Sequence, residues 1–210
     1  MIAFNLRLAV RSMRWVAPSL ILLTWIALTV SNPGPTLANA GGMFFVVVAV
    51  TCWLTIAIGN VDDDGHRELL AAAAGSPARL HRIRAVAALA ASNLLSVLGT
   101  VACLVAATPP TRPTSELVGI GACLLMQLSG TELGVAIGTL LHRPVMRHAG
   151  FTVLLAIAAI LGLIPLPPVQ SVLRALDHGR TTGVLLLAAL STVVALAATT
   201  GAATLAGRRN

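Results

Sequence analysis

The chain has no lysine, only 10% of its 210 residues are charged, and aromatic side chains make up 3%. So few ionisable groups cannot clothe a globular surface in water, where about a quarter of residues are normally charged. Its three cysteines, Cys52, Cys103 and Cys123, fall inside apolar runs rather than in polar connections. That placement excludes a disulfide framework in an external loop and reads as small-residue packing. There is no GxxxxGK[ST], no HExxH and no GxSxG. The chain therefore lacks a phosphate-cradling loop, a zinc-protease helix and a hydrolase nucleophile elbow, and it reads as a protein without a catalytic site.

What is there is apolar: 57% hydrophobic residues and a mean hydropathy of +0.89. A helix needs about 20 apolar residues to cross the roughly 30 Å hydrocarbon core of a bilayer. Six runs read as spans, at 15–31, 41–60, 85–108, 117–141, 149–164 and 183–206, the fifth being the shortest. The expected fold class is thus all-α, a polytopic membrane protein folded as a single transmembrane domain. With the N-terminus in the cytoplasm, Arg7, Arg11, Arg14, Arg67, Arg79, Arg82, Arg84, Arg143, Arg147, Arg208 and Arg209 fall inside, and only Arg112, Arg174 and Arg180 fall outside. That asymmetry is the positive-inside bias, and it supports both termini in the cytoplasm. The formal charge of +7 then needs no nucleic-acid partner. An all-arginine basic set points to a GC-rich bacterial genome, which places the chain in a bacterial cytoplasmic membrane. Ala38-Asn39-Ala40 imitates a signal-peptidase site, but the apolar run ends near Val30, well ahead of it, so the first span is expected to stay uncleaved.

In segment 1–14, Arg7, Arg11 and Arg14 recur at helical spacing beside a stripe of Ile2, Leu6, Val10 and Met13. A helix lying on the cytoplasmic leaflet fits this pattern, and so does a shapeless topogenic tail. Charge concentrates most in VDDDGHRELLAAAAGSPARLHRIRA, which begins at Val61. Asp62, Asp63 and Asp64 favour a helix start through its unpaired N–H groups and dipole. Residues 66–74 lack β-branching, Gly75 supplies a stop, and Ser76-Pro77 restarts the chain as cap and first helical position. The second helix carries Arg79, Arg82 and Arg84 at the headgroups and enters the membrane near Ala85. A short helix with an apolar stripe of Leu69 and Leu70 and a charged rim is a docking surface. A calcium loop beginning at Asn60 fails because Ala71 stands where a bidentate Glu is required. A magnesium transfer site lacks a second carboxylate set downstream. No metal site is assigned.

The fourth span contains QLSGTELGVAIGTLL. Gly130, Gly134 and Gly138 clear one helical stripe for close approach of another helix, and Gln127 falls on the same stripe. Glu132 points about 160° away from it at 100° per residue. A carboxylate inside a span faces protein, water or a transport path, so Glu132 is either part of a substrate route or a polar tie between helices. In segment 165–182, Pro165, Pro167 and Pro168 end a helix, and Val169, Val172, Leu173 and Leu176 then repeat with helical spacing. This fits a short external amphipathic helix or a plain connector.

Together, the basic entry segment FNLRLAVRSMRW, the cytoplasmic segment DDDGHRELLAAAAGSP, the LGVAIGTLLHRPVMRHAG end of span four and the external segment before span six resemble the membrane subunits of type-2 ABC exporters. The resemblance covers essentially the whole chain and rests on topology and texture. It implies a permease paired with a second six-span permease, of identical or related sequence, in contact with membrane lipids. It also implies a separate ABC ATPase subunit, which would hold the ATP and magnesium, with no cofactor in this chain. Residues 64–75, within segment 62–76, would be the coupling helix, with Asp63, Asp64, His66, Arg67, Glu68, Leu69, Leu70 and Ser76 as ATPase contacts. Gln127, Gly130, Glu132, Gly134 and Gly138 would serve a substrate path or helix packing, and the cargo would be amphiphilic. The rivals are an ion-gradient-driven secondary transporter and a non-transporting immunity or assembly factor.

Overall fold

The computed structural model of the chain describes residues 2–61, 64–108, 116–141, 149–166, 169–170 and 182–208. In chain order the helices are α1 (Ile2–Arg11), α2 (Val16–Ser31), α3 (Thr36–Gly59), α4 (Asp64–Ala74), α5 (Pro77–Val105), α6 (Glu116–Leu141), α7 (Ala149–Leu163) and α8 (Thr182–Arg208). Among the described residues the regular structure is helical apart from two residue pairs, β1 (Gly34–Pro35) and β2 (Ala107–Thr108), which lie parallel in register Gly34 to Ala107. Helices α3, α5, α6 and α8 are long and apolar enough to cross a bilayer. Helices α2 and α7, of 16 and 15 residues, are equally apolar but shorter. At 1.5 Å per residue they reach about 24 and 22 Å, less than a hydrocarbon core of about 30 Å. Most of segment 165–182, including Val172, Leu173 and Leu176, lies outside the described residues. Within it Val169 is buried and helical.

Helices α3 and α6 form the centre. Helix α6 packs against α3 on one side and α8 on the other, α5 lines both α3 and α6, α2 rests on α3 and α5, and α7 flanks α6 and α3. Met43, Phe44, Val47 and Val48 of α3 and Ala122, Cys123 and Met126 of α6 are all buried in this centre. The outside is apolar as well: Leu20 and Leu23 on α2, Leu94 and Val101 on α5, Leu154 and Ile157 on α7, and Leu185 and Val193 on α8 are exposed. A shell of exposed aliphatic side chains on every peripheral helix suits lipid as the solvent.

In lipid, apolar side chains gain little by leaving the tails, so helices associate through close packing and hydrogen bonds. The glycine stripe meets that demand. A Cβ at Gly134 would sit 2.6 Å from the Val48 carbonyl oxygen and 3.0 Å from the Cys52 amide nitrogen. At Gly138 it would sit 2.8 Å from the Cys52 carbonyl oxygen, and at Gly130 3.2 Å from that of Phe44. The stripe therefore lies on the backbone of α3 in the same chain. The α3 face opposite it places Thr51 and Thr55 toward the glycines. Their hydroxyls are satisfied within their own helix, by Val47 O at 2.7 Å and Thr51 O at 2.7 Å.

Because the atoms in the way at Gly134 include backbone atoms of Val48 and Cys52 as well as the Thr51 hydroxyl, Gly134→Ala forces the two helices apart, at a cost of about 1–3 kcal/mol. Thermal melting in detergent is expected to show a clear drop in midpoint. Gly121→Ala in the same helix, where nothing lies within 4 Å, is expected to melt like the parent. Equal melting of the two variants would contradict the packing role of the stripe.

Candidate functional site

One end of the bundle gathers charge around the C-terminus of α3. The last carbonyls of a helix have no intrahelical donor and carry its negative dipole end, so they attract cations. Arg14 Nη1 donates to the Asn60 carbonyl oxygen, and Arg84 Nη1 donates to that of Gly59 at 3.4 Å. Arg84 is 4% exposed. Of the three arginines that open α5, Arg79 and Arg82 are exposed, whereas Arg84 turns inward onto the helix end. With Arg7, Arg11 and Arg14 also exposed and α1 lying against α5 and α3, a basic rim surrounds this end.

Helix α4 projects from the same end. Ala71 and Ala74 are buried against Leu80 of α5, with Leu70 and Ile83 packed at the edge. The turn into α5 is local chemistry. Gly75 has φ +86°, which L side chains rarely adopt, and the Ser76 hydroxyl accepts a hydrogen bond from the Arg79 amide at 3.1 Å, with Pro77 opening the helix. The predicted residues divide accordingly. His66, Glu68 and Leu69 share the outward face with Ala72 and Ala73, and Leu69 is 70% exposed. Arg67 is half-buried, Leu70 faces the bundle, and Ser76 spends its hydroxyl on the cap. Asp63 lies outside the described residues, as does the side chain of Asp64. Among the described residues no three His, Cys, Asp or Glu side chains gather as a metal site.

At the opposite end the loop after α2 meets the loop after α5, where the Gly34 amide donates to the Ala106 carbonyl at 3.1 Å. Between the two ends runs a buried polar seam. Ser92, Ser96 and Thr100 recur every fourth residue on the inner face of α5. The Ser96 hydroxyl bonds that of Thr131 and donates to the Gln127 carbonyl at 3.2 Å, and Gln127 Nε2 donates to the Ala40 carbonyl of α3 at 3.1 Å. Gln127 therefore ties α6 to α3 on the glycine side. Cys103 and Cys123 are both fully buried in the central cluster. The seam on α5 is visible in the sequence only as a spacing of four between small hydroxyl residues.

Glu132 faces the other way, toward α8. Ser191 Oγ donates to its Oε2 at 2.5 Å, and Thr192 Oγ1 lies 3.0 and 3.1 Å from Oε2 and Oε1. Glycine stripe and carboxylate thus face different neighbours, α3 and α8, as their angular separation requires. No protein-family model, curated protein or solved structure matches the chain. What the fold defines is an all-helical, multi-pass membrane protein with a short polar helix at one end and a hydroxyl-bound carboxylate inside.

Ser76→Ala removes the cap at the α4–α5 turn, worth about 1 kcal/mol. Hydrogen exchange at residues 64–80 is then expected to speed roughly fivefold, with α3 and α6 unchanged. Unchanged exchange in this segment would show that the cap does not hold the turn.

Proposed function

We propose that the chain is the membrane subunit of an ATP-driven exporter of the type-2 ABC kind, with α4 as the helix that a separate ATPase subunit grips. The observation that carries this reading is the form of α4. It is an 11-residue helix beside the basic rim, fixed on one face by Ala71, Ala74 and Leu80, with His66, Glu68 and Leu69 left outward. A large exposed aliphatic residue between two ionisable ones is the composition of a docking face for a soluble partner.

The packing supplies a route for force. A push on α4 reaches α5 through Leu80 and the Ser76-capped start of α5, and reaches α3 through the guanidinium of Arg84 on its last turn. Helix α3 is locked to α6 along the glycine stripe, so these elements move as one body. In this reading both termini are cytoplasmic and the chain crosses six times. Helices α2 and α7 then reach both interfaces through flanking residues and local bilayer thinning. Two such chains, identical or related, would flank a substrate route in a bacterial cytoplasmic membrane, while ATP and magnesium stay in the partner. An ion-gradient carrier is the second reading, favoured by Glu132 as the sole carboxylate within the four long apolar spans.

The test is co-purification in detergent with an ATPase carrying a Walker A loop and encoded beside this chain. Glu68→Arg and Leu69→Asp are each expected to weaken that association at least tenfold, about 1.4 kcal/mol, while membrane insertion stays normal. Full association by both variants would remove α4 as the contact, and with it the reading.

A further inference from the structure

Glu132 lies in the middle of the bundle, four residues past the centre of α6, or about 5 Å along the axis. Its partners are the hydroxyls of Ser191 and Thr192, and among the described residues no cation is near it. Helices α3 and α7 contain no Arg, His, Asp or Glu. On α5 the charged and titratable residues are Arg79, His81, Arg82, Arg84 and buried Cys103, and Arg84 precedes Ser96, the residue level with Glu132, by about 18 Å of helix. On α8 the only charged residue is Arg208, about 24 Å beyond Thr192. A charged carboxylate left alone at this depth is costly.

The two hydroxyls have a choice of acceptor. Each has one hydrogen. Ser191 and Thr192 can each pass theirs to Glu132, or back to the Ala188 carbonyl, 2.9 Å away in both cases. With Glu132 anionic, both hydroxyls turn to it. With Glu132 protonated, its O–H donates to Ser191 Oγ and the hydroxyls return to Ala188. The site is hydrogen-bonded in either state, so it holds a negative charge without rebuilding. It also opens outward: Glu132 is half-buried, and Thr192 is exposed on α8, the least buried of the four long helices. Leu185 and Leu196, one turn or two from Thr192 on the same stripe, are exposed aliphatic flanks.

We propose that Glu132, Ser191 and Thr192 form a binding site within the membrane for the cationic head of a lipophilic cation, whose apolar body lies against Leu185 and Leu196. The carboxylate pairs with the arriving positive charge while the hydroxyls of Ser191 and Thr192 hold its oxygens in place. As a statement of cargo class this rests on the export reading. Binding itself is measured without any ATPase, so its failure leaves the α4 assignment standing.

The probe is radiolabelled tetraphenylphosphonium, with the purified full chain in nanodiscs. Saturable binding is expected. Glu132→Gln is expected to lose at least tenfold in affinity, Glu132→Asp to recover part of it, and Ser191→Ala with Thr192→Val to lose severalfold. Thermal melting accompanies each variant, and the hydroxyl pair keeps the carboxylate if Glu132→Gln folds poorly. Absence of saturable binding by the parent, or parental affinity in a folded Glu132→Gln, would overturn the proposal.

Discussion

Everything in this fold is arranged around the contact of α6 with the backbone of α3. At Gly130, Gly134 and Gly138 the spaces a Cβ would need are already occupied by Phe44, Val48 and Cys52 backbone atoms or by the threonines of α3. In water such closeness would be one contribution among many, and hydrophobic burial would dominate. Within a bilayer the ranking reverses. The aliphatic surfaces of α5, α7 and α8 are as well solvated by tails as by protein, so van der Waals contact and hydrogen bonds between helices decide which pairs form. The Gln127 bond to Ala40 and the Ser96 bonds to Thr131 and Gln127 add polar ties at the same depth as the glycines.

That central pair gives the two ends and two faces of the molecule separate duties. The C-terminus of α3 is neutralised by Arg14 and Arg84, which brings the entry segment, α3 and α5 to one point, and α4 sits beside it. At the other end the Gly34–Ala106 bond joins two loops. Across α6, one face is spent on α3 and the other offers Glu132 to α8. A movement that shifted α8 against α6 would disturb the hydroxyl bonds to Glu132 while leaving the α3–α6 contact whole.

The sequence was most informative where structure is local. Gly75-Ser76-Pro77 spells a stop, a cap and a restart, and each residue does this through its own backbone or a partner three positions away. The glycine spacing foretold a close approach, but not that its target was α3, since nothing in a spacing names the helix on the other side. The direction of Glu132 away from the stripe was likewise legible from helical geometry. Its partners Ser191 and Thr192, some sixty residues on, were not. The inward turn of Arg84 was not legible either, because the pull of the α3 carbonyls depends on tertiary placement. Helices α2 and α7 follow the expected apolar runs to within one residue, so their shortness was already legible in the sequence.

The central claim is that α4 is a handle on the cytoplasmic side of the membrane, and its most direct measurement is sided labelling of Leu69→Cys with a membrane-impermeant thiol reagent in sealed vesicles. The native Cys52, Cys103 and Cys123 are buried and supply a low background. Labelling in inverted vesicles, blocked when the ATPase subunit is bound, is the predicted result. Labelling from the external side, or none from either side, would contradict the account.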